Sequence, residues 1–341
     1  MKKFLVLLTT VMMVVGMVGC SGTTTKSGAN GANEPIEVAV IIKATSSDFW
    51  QYVLVGAENY GVVHRGAVNV TTHGPSTEAE IAEQVTILEN VINTKPDVIV
   101  ISSTSSEATV NAIDSARDKG IVVITIDNKV KTEVDSFLAT DNVRGGATAA
   151  DKLISSMMEK QDVTTPAELT GKIGIVTSMS GVQVLIDRDK GFADRMKAVA
   201  PHLEFVTTLD INNDMAKGIT DFSALVNANQ DLAGVFGDNN TTGNSIAKVL
   251  QEKDLTNVAA VAYDSDEAEV KAVKDGWLQG IVVQDPYRMG YDGVSYGLQK
   301  LAGLDIAGYV DTGAVLVTAD NVDDDAIQGL LDPRKRSLTG K

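Results

Sequence analysis

From Ile36 onward, short β-branched runs alternate with stretches of helical spacing, and the alternation halts once and restarts. The first set of runs is Val38–Ile42, Ala67–Thr71, Val98–Ile101 and Ile121–Ile126. After a polar stretch around Gln161–Thr170 come Ile173–Val176, Phe205–Leu209, Ala233–Phe236, Val258–Tyr263 and Ile281–Val283. Runs so uniformly apolar are buried on both faces, as in parallel sheets covered by helices. Thr77–Glu80 and Thr104–Glu107 read as capping boxes opening two helices. In the first of these, Ile81, Val85, Leu88 and Ile92 make one apolar stripe; Gly120 ends the second. A length of 341 residues accommodates two such units. The expected fold class is therefore α/β, with two doubly wound, parallel-sheet, Rossmann-like lobes.

Charge and cysteine content exclude several functions. The net charge is −16, and a surface this acidic repels phosphate backbones and anionic lipid headgroups. Nucleic acid is thus not an expected partner. A single cysteine excludes an internal disulfide framework and any multi-cysteine metal site. The three histidines (His64, His73, His202) are too scattered to suggest a metal centre. No cofactor is expected, and the chain is expected to be a monomer.

The first residues read as an address. Met1-Lys2-Lys3 is a short basic start, and Phe4–Val18 is an apolar run too short to span a bilayer comfortably. Met17-Val18-Gly19-Cys20 resembles the bacterial lipoprotein cleavage box, which implies removal of residues 1–19 and lipidation of Cys20. Loss of Lys2 and Lys3 with the leader would take the net charge to −18. Residues 20–34 are rich in Ser, Thr, Gly and Asn and read as a flexible tether. The expected location is extracytoplasmic, with the chain held to the bacterial cell membrane by its lipid.

Open parallel sheets bind ligands outside the carboxyl ends of their strands. The residues delivered there are Lys43, Ser47, Phe49 and Trp50 after the first run, Ser102 after the third, and Asp127 and Asn128 after the fourth. In the second half they are Asn239, Asp264 and Gln284, with Tyr263 closing its strand. Carboxylates and carboxamides can each make two hydrogen bonds with a hydroxyl-rich ligand, and charge-assisted bonds are the stronger ones. Phe49, Trp50 and Tyr263 could cover the apolar face of a sugar ring.

At these residues the chain resembles the ribose-type (type I) periplasmic sugar-binding proteins that serve ABC importers. The resemblance spans Ile36 to about Ala326. It is carried by Val38–Ile42 leading into Asp48-Phe49-Trp50, Ile124–Asp127, Ala139–Gly146, Arg188–Phe192, Gly237-Asp238-Asn239, Tyr263-Asp264 and Ile281–Gln284. It implies that Phe49 and Trp50 stack on a sugar ring. It also implies that Asp127, Arg188, Asn239, Asp264 and Gln284 bond its hydroxyls, with Asn128 and Ser47 nearby. Three departures set the chain apart from ribose binders. Ser102 stands for a usual Asn, Asn128 for a usual Arg, and Asn213 for an aromatic residue. Lys43 is similar to arabinose-binding and autoinducer-binding relatives. A monosaccharide other than ribose, or a related polyol, is the expected ligand, and an ABC transporter permease the expected partner.

The family fold further implies three crossings between lobes, near Thr140-Asp141, Gln284-Asp285 and Thr312-Gly313. One lobe would then comprise residues 36–140 plus 285–312, and the other 141–284 plus 313–332. Of the alternatives, a glycosidase built on Asp127 and Asp264 lacks a raised-pKa acid, because Lys43 and Arg188 would favour the ionised forms. The expectation is a binding protein and not an enzyme. An autoinducer-type or polyol receptor feeding a chemosensory or signalling partner remains open.

Overall fold

The computed structural model describes residues 34–336. The leader, Cys20 and the tether through residue 33 lie outside the described residues. The first half contains β1 (Ile36–Ile41), α1 (Asp48–Val63), β2 (Val68–His73), α2 (Ile81–Thr94), β3 (Val98–Ile101), α3 (Val110–Asp118), β4 (Val122–Ile126) and β5 (Ser136–Ala139). The second contains α4 (Asn142–Gln161), β6 (Lys172–Thr177), α5 (Gln183–Val199), β7 (Glu204–Phe205), β8 (Leu209–Asp210), α6 (Met215–Ala228), β9 (Leu232–Gly237), α7 (Asn240–Glu252), β10 (Ala259–Tyr263), α8 (Glu267–Lys274) and β11 (Gly280–Gln284). The chain closes with α9 (Pro286–Leu301), β12 (Tyr309–Asp311), β13 (Ala314–Val317) and α10 (Asp325–Leu331).

The strands build two sheets of the same winding. The first runs β12-β5-β4-β3-β1-β2, and the second β13-β11-β10-β9-β6-β7, with β8 also on β6. Ignoring the outermost β12 and β13, each places its second strand beside its first, then its third, fourth and fifth. That is the doubly wound order whose switch point lies between first and third strands. Helices cover both faces, and β1, β3, β4, β10 and β11 are buried almost throughout, which accounts for their unbroken apolar sequence.

The chain passes between sheets after β5, after β11 and after β12. Asp311 ties two of these passages together: its Oδ1 accepts from the backbone N–H of Asp141 at 3.1 Å and of Gly313 at 2.8 Å. A further return toward the first sheet follows α10. Residues 333–335 form a 3-10 turn that returns to α1, and Arg336 pairs with Asp285 at 3.0 Å beside the Tyr287 ring.

Two helix pairs are drawn unusually close by reciprocal glycines. A Cβ on Gly146 (α4) would sit 2.0 Å from the Arg188 carbonyl oxygen, and one on Gly191 (α5) 2.0 Å from that of Val143. Gly56 (α1) and Gly290 (α9) meet the Tyr287 and Val53 carbonyls in the same way, at 2.0 and 1.9 Å. Only glycine permits backbones to approach so closely.

Several local expectations are corrected. The run Phe205–Leu209 is two short strands, β7 and β8, because an edge strand without an outer neighbour can leave the ladder and rejoin it. β13 pairs antiparallel with β11, since a two-residue link from β12 leaves no room for a crossover helix. Neither capping box opens its helix. Thr77–Glu80 is a turn ahead of α2, whose buried stripe is Gln84, Leu88, Val91 and Ile92, with Ile81 exposed. Thr104 is bonded by Gln84, and α3 begins later, at Val110.

Candidate ligand-binding site

All three passages leave the carboxyl ends of strands, so the two sheets turn these edges toward each other. The residues there are already charged and paired. On the first edge Lys43, just past β1, donates from Nζ to Asp127 Oδ2 at 2.7 Å, both side chains being less than 10% exposed. Lys43 also lies 5.1 Å from the Trp50 ring centroid. On the second edge Arg188 of α5 donates from Nη1 to Asp264 Oδ2 at 3.2 Å and to the Asp238 carbonyl at 2.8 Å. Its Nε donates to Asn142 Oδ1 at 2.9 Å. Gln284 then donates to the other Asp264 oxygen at 2.6 Å.

The edges also meet electrostatically. Burial by itself would lower the Arg188 pKa, but Asp264, Tyr263, Asp238 and, from the opposite edge, Asp127 together push it up. Behind the arginine, Asp238 is fully buried and accepts from Thr177 Oγ1 at 2.6 Å and Ser178 N at 2.8 Å. Burial raises its carboxyl to about 6 against those bonds and the Arg188 charge. Neighbouring Asp189 rises to about 7, through burial and then the Asp238 charge.

Most of the anticipated residues gather at these edges. Ser47 is the N-cap of α1 and makes no capping bond with its side chain. Phe49 is half-buried and meets Trp50 edge-on at 4.8 Å. Asn128 donates to the Ser103 carbonyl at 3.3 Å. Asn239 caps α7 through its Oδ1, and its Nδ2 donates to Ser178 Oγ at 3.0 Å. Exposed Asn213 accepts from the same hydroxyl at 3.0 Å. Ser102 is fully buried, and among the described residues its hydroxyl has no partner; neither does the buried Gln284 Oε1.

Two expectations need correction. Tyr263 does not offer its ring to a ligand: it is fully buried, with the Arg188 guanidinium 3.8 Å above its centroid, and so serves as the arginine's platform. Trp50 is only 3% exposed, and its Nε1–H donates to Glu78 at 2.6 Å, so it presents little more than an edge. Glu78 was missed because it stood inside an apparent capping box. Asn142 and Asp238 stand inside sequence motifs that by themselves assign them no role. Gln84, missed as part of an apolar helix face, bonds the carbonyls of Ile42 and Ser102 at 3.0 and 2.8 Å and so knits the ends of β1 and β3. Among the described residues no group of His, Cys, Asp and Glu could hold a metal ion.

Comparison with known proteins agrees with this architecture. Residues 38–305 match the model of the periplasmic binding protein domain. A D-ribose/D-allose-binding protein of Pseudomonas aeruginosa is 25% identical over 90% of this chain and 97% of its own. A ribose import binding protein of Salmonella typhimurium is 28% identical over 78% and 85%. A carbohydrate transporter solute-binding protein from Agrobacterium radiobacter, solved with D-arabinose, superposes with a TM-score of 0.77 at 34% identity, covering 87% of this chain and 99% of that one. The chain belongs to the periplasmic binding protein family. Within it, the two-lobed fold and its relatives make it a type I sugar-binding protein.

Proposed function

We propose that the chain captures a monosaccharide between its two lobes and delivers it to an ABC transporter permease, while a lipid at Cys20 holds it to the extracytoplasmic face of the membrane. The observation that carries this reading is the pair of opposed ion pairs, buried Lys43–Asp127 and partly buried Arg188–Asp264, one on each sheet edge. Each cation is already neutralised by a carboxylate, so the site suits an uncharged ligand that exchanges hydroxyl hydrogen bonds with both. The Ser102 and Gln284 oxygens, without a partner among the described residues, support the same reading, since a buried polar atom left unsatisfied costs about 1–3 kcal/mol. The relatives bound to D-arabinose and D-fucose, and those named for ribose and allose, are transport proteins and not enzymes.

Residues from both lobes would touch the ligand, which is what allows it to favour a closed state over an open one. Phe49 and the Trp50 edge would cover the ring, while Lys43, Asp127, Asn128, Arg188, Asn239, Asp264 and Gln284 would bond its hydroxyls. Micromolar capture requires about −8.2 kcal/mol, or roughly −0.7 per heavy atom for a sugar of ~12 atoms, within the known ceiling for small ligands. A thermal-shift panel of aldoses, ketoses and polyols tests the reading, because a bound ligand raises Tm by mass action. A Tm unmoved by millimolar concentrations of every pentose and hexose would reject it.

A further inference from the structure

Arg188 is seated against the first turn of the helix that enters the second lobe. Asn142 opens α4, is 8% exposed, and accepts from Arg188 Nε at 2.9 Å. Its Nδ2 donates to the Thr140 carbonyl at 3.2 Å, within the first passage between sheets. On the same helix face, a Cβ on Gly145 would lie 2.2 Å from the Tyr263 hydroxyl, and one on Gly146 2.0 Å from the Arg188 carbonyl. Residues spaced by three and four lie side by side on a helix. One face of one turn therefore touches the guanidinium, the arginine's backbone and the ring beneath it.

The guanidinium is a planar fork, so its orientation needs anchors at more than one point. Nη1 has two acceptors, Asp238 O and Asp264 Oδ2, on neighbouring strand ends. Without a third bond the fork can pivot about Nη1; the bond from Nε to Asn142 removes that freedom. We propose that Asn142 is a positioning residue, fixing the Arg188 guanidinium in the orientation that the ligand meets. The ligand part of this inference rests on the sugar-binding reading above; the orientation part does not.

Two substitutions separate the bonds of Asn142. Asn142→Asp keeps an oxygen facing Nε and loses the donor to Thr140, whereas Asn142→Ala loses both. The first measurement is solvent exchange of the Arg188 Nε–H in 15N-labelled, sugar-free protein, the resonance being assigned by its loss in Arg188→Lys. Exchange should stay slow in wild type and Asn142→Asp and become at least tenfold faster in Asn142→Ala. The second is calorimetry with D-arabinose. Here Asn142→Asp should remain within about threefold of wild type and Asn142→Ala weaken at least tenfold. An Asn142→Ala protein with a protected Nε–H and a Kd within twofold of wild type would overturn the proposal. Should Asn142→Ala fail to fold, Asn142→Ser, whose shorter hydroxyl falls short of Nε, takes its place. If wild type binds no sugar, the functional reading fails, and the exchange measurement alone decides the role of Asn142.

Discussion

Asp127 and Asp264 are counterparts: each is the residue just past the fourth strand of its sheet, and each holds a cation from beyond the first strand. Both have left-handed backbones, with φ of 61° and 73°, a conformation Asp tolerates better than most residues. Both N–H groups bond the next strand, to Leu138 O at 2.9 Å and Val282 O at 2.8 Å. The turn aims each carboxylate back across its sheet edge, toward Lys43 in one lobe and Arg188 in the other. The cations differ, so a symmetric frame presents an asymmetric surface to the ligand.

Asp264 accepts from both Arg188 and Gln284, and its loss frees two donors at once. Asp264→Ala is expected to weaken sugar binding by more than tenfold, measured by calorimetry. A Kd equal to wild type would remove Asp264 from the site.

The Lys43–Asp127 pair predicts a non-additive cycle. Removing one partner of a buried ion pair typically costs about 3–5 kcal/mol, because the other charge is stranded, while an apolar replacement of both can be close to neutral. Asp127→Leu should therefore lower stability to urea by at least that amount, leucine also straining the left-handed backbone at position 127. Lys43→Met/Asp127→Leu should recover much of the charge cost, though not the strain, without regaining sugar binding. Equal stability of the single and double variants would contradict this account.

Glu78 holds the Trp50 indole at 2.6 Å. In a Trp277→Phe background, Trp50 is the only indole left. Glu78→Ala should then shift its emission and weaken sugar binding about three- to tenfold, with Glu78→Gln close to wild type. Unchanged emission in the alanine variant would show that the bond does not orient the ring.

Asp189 predicts a pH dependence of stability. Its carboxyl is raised to about 7 in the fold by burial and by the Asp238 charge, against an ordinary value of 3.8. The folded chain therefore binds more protons than the unfolded one between those values, and stability falls as pH rises through that window. Asp238, raised to about 6, acts in the same direction. Asp189→Asn should gain on wild type by roughly 2 °C or more in Tm at pH 8 and gain little at about pH 4. An identical Tm difference at both pH values would rule out this titration.

The placement of polar residues at or just past the end of an apolar strand was legible: Lys43, Asp127, Asp264 and Gln284 all stand at the carboxyl edges of their sheets. Tyr263 misled because an aromatic closing a strand can face a ligand or a neighbouring side chain, and only three-dimensional packing places Arg188 over it. β5, β12 and β13, of 4, 3 and 4 residues, are short and, unlike the equally short Val98–Ile101, are not wholly β-branched, so no run marks them. Glu78 acts through a residue 28 positions away, and the link of Asn142 to Arg188 spans 46; local pattern carries no trace of either.

The contact of Gly56 with Tyr287 bears on how the molecule is made. Helix α1 waits for a mate more than two hundred residues downstream, with all of the second sheet except β13 synthesised in between. Neither half is a continuous stretch of polypeptide. Pairings so distant in sequence slow folding, because a long loop must close before its contacts repay the lost entropy. The nascent chain therefore lacks the partner of its α1 helix until α9 has emerged.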